Sequence, residues 1–101
     1  MGKINFSIND INSYIDILTN QSFSILPLYE ENGINKVLIQ KINSLNYKLN
    51  AFFKANRFDP NITIEILSFA NELSNIDNHD EMRYFVLRIC SLLSRLKVVE
   101  E

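Results

Sequence analysis

From Met82 to Leu96 the apolar residues Met82, Phe85, Val86, Ile89, Cys90, Leu92, Leu93 and Leu96 recur at the three-and-four spacing of a single helix face. Leu87 adds an apolar residue on a further side, so only a narrow strip near Arg88 and Arg95 suits water. A stripe this wide belongs to a helix with neighbours on several sides, and the rest of the chain must supply them.

The rest of the chain reads as helices too. Ser7 with Asp10 three residues later forms a capping box opening a first helix, whose face is Ile8, Ile11, Ile15 and Leu18 and whose end is expected near Thr19 to Gln21. In Ser22–Gly33, Pro27 suits the first turn of a short helix, with Glu30 and Glu31 in its body and Gly33 as its stop. A second long helix is predicted over Asn35–Asn56 from Leu38, Ile42, Leu45, Leu49 and Phe52, with Phe53 widening the face. Asp59-Pro60 punctuates the chain, because proline excludes the helical region from the residue before it and favours a first helical position for itself. A third long helix then starts near Pro60 and carries Ile62, Ile66, Phe69, Leu73 and Ile76. Ile62, Ile64 and Ile66 also alternate as a strand would, but the helical spacing continues through Leu73 with no turn signal between. Asn78 with Glu81 is a second capping box, opening the last helix.

The expected fold is therefore all-α, an antiparallel four-helix bundle with a short extra helix in Ser22–Gly33, built as one domain over residues 1–101. It should contain no strand of four or more residues and be monomeric when free. Phe85, Ile89, Leu92 and Leu96 should be nearly fully buried.

At 101 residues a chain can bury roughly 60–65% of its extended surface, enough to fold alone. An apolar fraction of 47% with 22% charged residues is that of a soluble protein, and no run nears the roughly 18 apolar residues of a membrane span. The opening Met-Gly-Lys-Ile-Asn-Phe-Ser lacks a secretory core and does not meet the myristoylation pattern, and the single cysteine cannot form an internal disulfide. A cytoplasmic, reducing setting is expected. Asn and Ile, fourteen each, show the bias of an AT-rich coding sequence.

The charges are sorted by segment. Between Lys36 and Arg57 every charged residue is basic (Lys36, Lys41, Lys48, Lys54 and Arg57), whereas between Asp59 and Glu81 every one is acidic (Asp59, Glu65, Glu72, Asp77, Asp80 and Glu81). Lys41 and Lys48 stand one residue before Ile42 and Leu49, as Glu65 and Glu72 stand before Ile66 and Leu73. In an antiparallel hairpin turning near Arg57, these flanks would pair Lys48 with Glu65 and Lys41 with Glu72. Arg88 and Arg95, on the same flank of the last helix, compete for the same glutamates. At one pole of the bundle, Glu30, Glu31, Asp77, Asp80 and Glu81 should gather, with Tyr29 beside them and only Lys36 and Arg83 opposing. Asp80 and Glu81 alone could be explained as complements to a helix amino end; the other three could not.

No catalytic constellation stands out. His79, the only histidine, lacks ligand spacing for a metal and reads as a solvated residue beside a cap. Cys90 falls within the apolar face and reads as a small hydrophobe. There is no Gly-rich phosphate loop and no His/Cys cluster, so an enzyme, a cofactor and a metal site are not expected. Tyr14, Tyr29, Tyr47 and Tyr84 are candidate contact residues, and Ile64 and Leu67 point away from the stripe of their helix.

In size, mild acidity (net charge −2), helical pattern and want of catalytic residues, the chain resembles small all-helical bacterial immunity proteins, of the contact-dependent growth-inhibition or bacteriocin type. The resemblance implies a protein that binds and neutralises a cognate toxin, possible nucleases among them, by occlusion. An acidic pole of Tyr29, Glu30, Glu31, Asp77, Asp80 and Glu81 would then face a basic toxin domain. The alternative is a small helical nucleic-acid-binding regulator using the basic face of the second or last helix. The long stripes argue against the short, steeply crossed pair of a helix-turn-helix.

Overall fold

The last helix is α5 (His79–Arg95) in the computed structural model, which describes residues 8–97. Before it come α1 (Ile8–Phe23), α2 (Ile25–Asn32), α3 (Lys36–Ala55), α4 (Pro60–Glu72) and a 3₁₀ turn (Leu73–Asn75). The described residues are all-helical, with no strand among them, so the alternation of Ile62, Ile64 and Ile66 is resolved as helix. No helix is long and apolar enough to cross a membrane. Ser7, half of the first capping box, lies outside the described residues, as do the chain's first six and last four.

α5 packs on α1, α4 and α2, as its wide stripe requires. Met82, Val86, Ile89, Leu92 and Leu93 are wholly buried, and Leu96 nearly so. Phe85 departs from expectation. It is half-buried, because it sits at the edge of the α4–α5 seam with its ring against Phe69, centroids 5.1 Å apart and edge to face. In α3 the whole predicted stripe, Leu38, Ile42, Leu45, Leu49 and Phe52, is buried. α4 buries Ile66 and Ala70, while Ile62 and Phe69 pack against the core from its margin. The third long helix ends earlier than its stripe: α4 tightens into the 3₁₀ turn, which still carries Leu73 into the core ahead of Ile76. Of the two residues that point away from the α4 stripe, which either an internal neighbour or a partner could cover, Leu67 packs against the core and Ile64 is exposed.

Caps set the boundaries. The side chains of Asn35, Asp59 and Asn78 accept hydrogen bonds from the backbone N–H groups of Leu38, Asn61 and Glu81, at 3.1, 2.9 and 2.7 Å. Asn78 and Glu81 complete their box, Asn78 Nδ2 donating to Glu81 Oε2 at 3.3 Å. Gly33, at φ +64°, ends α2 in a conformation that glycine adopts without steric cost.

α1 runs past the expected Thr19–Gln21 to Phe23. Proline sets this limit at a distance: Pro27 has no N–H to offer the carbonyl four residues back, and its ring collides with that carbonyl, which belongs to Phe23. The helix breaks at Ser24, whose hydroxyl donates to the Gln21 carbonyl at 2.6 Å. α2 rests on α1, α3 and α5, burying Ile25.

Pairs of residues give the helix directions. Asn46 of α3 meets Ala70 of α4; Glu65 and Phe69 of α4 meet Arg88 and Phe85 of α5; Asp16 and Thr19 of α1 meet Lys97 and Cys90. In the last two seams, residue numbers rise on one helix as they fall on the other. Together with contacts between α3 and both α1 and α4, this is consistent with a four-helix bundle. One end, where α3 runs into α4, is filled by rings: Phe52 lies 4.8 Å from Tyr14 and 5.2 Å from Phe58, with Phe53 beside them.

Candidate acidic interface

At the other end, α2 brings its acids to the start of α5. Glu30 Oε2 lies 2.8 Å from His79 Nε2, and the Tyr29 and His79 rings stack with centroids 6.4 Å apart and planes 25° from parallel. An ionised carboxylate only accepts, so Nε2 is the nitrogen that carries hydrogen in this contact. Tyr29, Glu30 and His79 line a shallow cleft. Asp77, Asp80 and Glu81 lie within two residues of His79 and are exposed, as is Glu31 in α2. His79 is therefore not a merely solvated residue beside a cap: it contacts Glu30 of α2 and stands in sequence among the acids that open α5. Sequence reasoning missed the pairing because 49 residues separate its members.

This geometry offers exposed carboxylates as hydrogen-bond acceptors, with the Tyr29 ring beside Glu30 and His79. It suits recognition of a basic surface through the encounter rate and its orientation more than through deep burial. Asp80 and Glu81 also stand in the first turn of α5, where they complement the helix amino end. Among the described residues, no three of His, Cys, Asp and Glu are placed to hold a metal ion. Cys90 is buried; desolvation pushes its thiol up to about 11, and its S–H points to the Thr19 carbonyl at 3.7 Å. A nucleophilic thiol needs the opposite shift.

Of the bases expected to compete for Glu65, Arg88 takes it and Lys48 does not. Glu65 pairs with Arg88 at 2.9 Å, and the guanidinium also lies 5.8 Å from the Phe69 ring centre. Lys48 does not pair with Glu65 nor Lys41 with Glu72; neither lysine is in ion-pair contact with an acid among the described residues. The reason is which way each flank faces. Asn46, one residue after Leu45, donates from Nδ2 to the Ala70 carbonyl at 3.1 Å, so this flank of α3 faces α4. Lys41 and Lys48, one residue before the stripe, sit on the other flank, toward Gln21 and Ser24.

Of the remaining contact candidates, Tyr47 is the most open at 76% exposure, and Tyr84 is exposed while its ring touches Phe69 and Phe85. Tyr14 is half-buried against Phe52. No known protein family, curated protein or solved structure matches the chain.

Proposed function

We propose that this is an immunity or antitoxin-like protein of a bacterial cytoplasm, monomeric when free, which neutralises a basic toxin domain by covering it and performs no catalysis. The reading takes the fold as an antiparallel, up-down-up-down four-helix bundle with α2 as an inserted fifth helix. One observation carries it: the Glu30–His79 contact brings an acid of α2 to the start of α5, where Asp77, Asp80 and Glu81 flank His79 in sequence. Tyr29, Glu30, Glu31, Asp77, Asp80 and Glu81 are its contact residues. Clefts that hold nucleic-acid phosphates are basic, and a patch of carboxylates can occupy the positions of those phosphates. The same complementarity would speed capture, because rim charges act mainly on the association rate.

The test is binding kinetics against the toxin-like product of the adjacent gene, at two salt concentrations, for a variant with Glu30, Glu31 and Asp77 each changed to Lys. Association should slow and lose part of its salt dependence, while circular dichroism and the unfolding midpoint stay close to the parent's, since exposed substitutions usually change stability by less than about 0.5 kcal/mol each. Unchanged kinetics would remove this patch from the interface and leave Tyr47 and Ile64 as the next surface to probe.

A further inference from the structure

Lys41 and Lys48 of α3, neither in an ion pair among the described residues, do not stand on an open face. They line a groove of about 310 Å³ bounded on its far side by Gln21 and Ser24 at the α1–α2 junction, with Ser44 between them and Gln40 just before Lys41 on the α3 side. Lys48 is half-buried there, and Lys41 is exposed. The facing wall supplies no counter-charge: Gln21 and Ser24 are neutral, and Asp16 of α1 is engaged by Lys97. Two like charges held along one concavity without an acid concentrate positive potential inside it. Seven residues of helix separate the lysines by about 10 Å along the axis, a gap that their flexible stems can close upon one diphosphate group.

We propose that this groove binds a small organic phosphate of the nucleoside diphosphate class. Lys41 and Lys48 take the phosphate charge as point-charge donors, the manner in which lysine commonly binds phosphate. Gln21, Gln40, Ser24 and Ser44 provide donors and acceptors for the sugar hydroxyls and the edge of the base. Val37, 58% exposed at the mouth of the groove, offers the apolar surface on which a base can lie. The volume falls at the small end of ligand pockets, roughly 300–1,000 Å³. From Val37 to Lys48 the α3 wall extends about 16 Å, which suits an elongated ligand. A nucleic-acid strand fits less well, because Lys54 and Arg57 lie outside the groove and Lys36 lines a neighbouring cleft with Leu28.

Amide chemical shifts of the full chain, titrated at constant ionic strength with ADP, pyrophosphate and adenosine, test the assignment. ADP should give saturable shifts confined to the groove amides, pyrophosphate weaker ones at Lys41 and Lys48, and adenosine the least. The double variant K41Q/K48Q should weaken ADP binding at least tenfold with its helical dichroism unchanged. Shifts that fail to saturate, that spread equally to Lys54 and Arg57, or that persist in the double variant would overturn the proposal. Pyrophosphate binding as tightly as ADP would overturn its nucleoside part. A single-stranded oligonucleotide binding more tightly than ADP along all of α3 would replace it with nucleic-acid recognition. None of these outcomes depends on the acidic interface at the α2–α5 end.

Discussion

The α4–α5 seam and the α1–α3 groove use the same sequence device and come out oppositely. In both, charged residues stand one position before an apolar stripe. On α4 and α5 those flanks confront each other, and Glu65 finds Arg88. On α3 the equivalent flank turns away from α4 and looks across at Gln21 and Ser24, leaving Lys41 and Lys48 without an acid among the described residues. A helix that packs against two neighbours gives one flank to each, so equal positions on consecutive helices need not meet. Charge sorting along a sequence therefore names complementary residues before it names pairs.

Four measurements break or sharpen this contrast. The largest effect is expected from Ile89→Ala: Ile89 is wholly buried in α5, beside Arg88, and a cavity there should cost about 2–5 kcal/mol in chemical denaturation. A loss below about 0.5 kcal/mol would show that α5 is not the common support of the fold. A double-mutant cycle of Glu65→Gln with Arg88→Gln should return a smaller coupling, about 0–1 kcal/mol, since both side chains are more than a third exposed. Replacing Glu65 and Lys48 in the same way should return a coupling indistinguishable from zero, and one equal to the Arg88 value would restore the α3–α4 pairing. Smallest of all, K41Q/K48Q in the absence of any ligand should leave stability within about 0.5 kcal/mol of the parent; a larger loss would give the lysines a structural partner.

Much of the fold was legible because helix periodicity and capping are local. The five stripe residues of α3 are all buried, the cap at Asn78 engages the backbone N–H of Glu81 as its spacing predicted, and the helices expected to start near Asn35 and Pro60 do so, with Asn35 and Asp59 as their caps. What escaped was relational. Asn46 ties α3 to α4 through a backbone carbonyl, and no complementary side chain exists in the sequence to announce it. The α1 boundary followed from a clash reaching back from Pro27 to Phe23, so a signal read for its own position acted four residues upstream. Of the candidate acidic interface, the carboxylates were legible as charges near helix ends. The contact of His79 with Glu30 was not, since a lone histidine beside a cap carries no sign of a partner 49 residues away.

Pro27 has a wider meaning for the shape of the molecule. Residues 8 to 32 could otherwise form one straight rod about 37 Å long, whose final two turns would overshoot the neighbouring helices and stand in water with Ile25, Leu26 and Leu28 uncovered. With the first helix stopped before that ring, Leu26 and Leu28 of α2 pack against the core, and Tyr29 and Glu30 meet His79 at the start of α5. A single imino acid thus acts as a ruler, fixing how far the first helix reaches and which face of the molecule its last acids adorn.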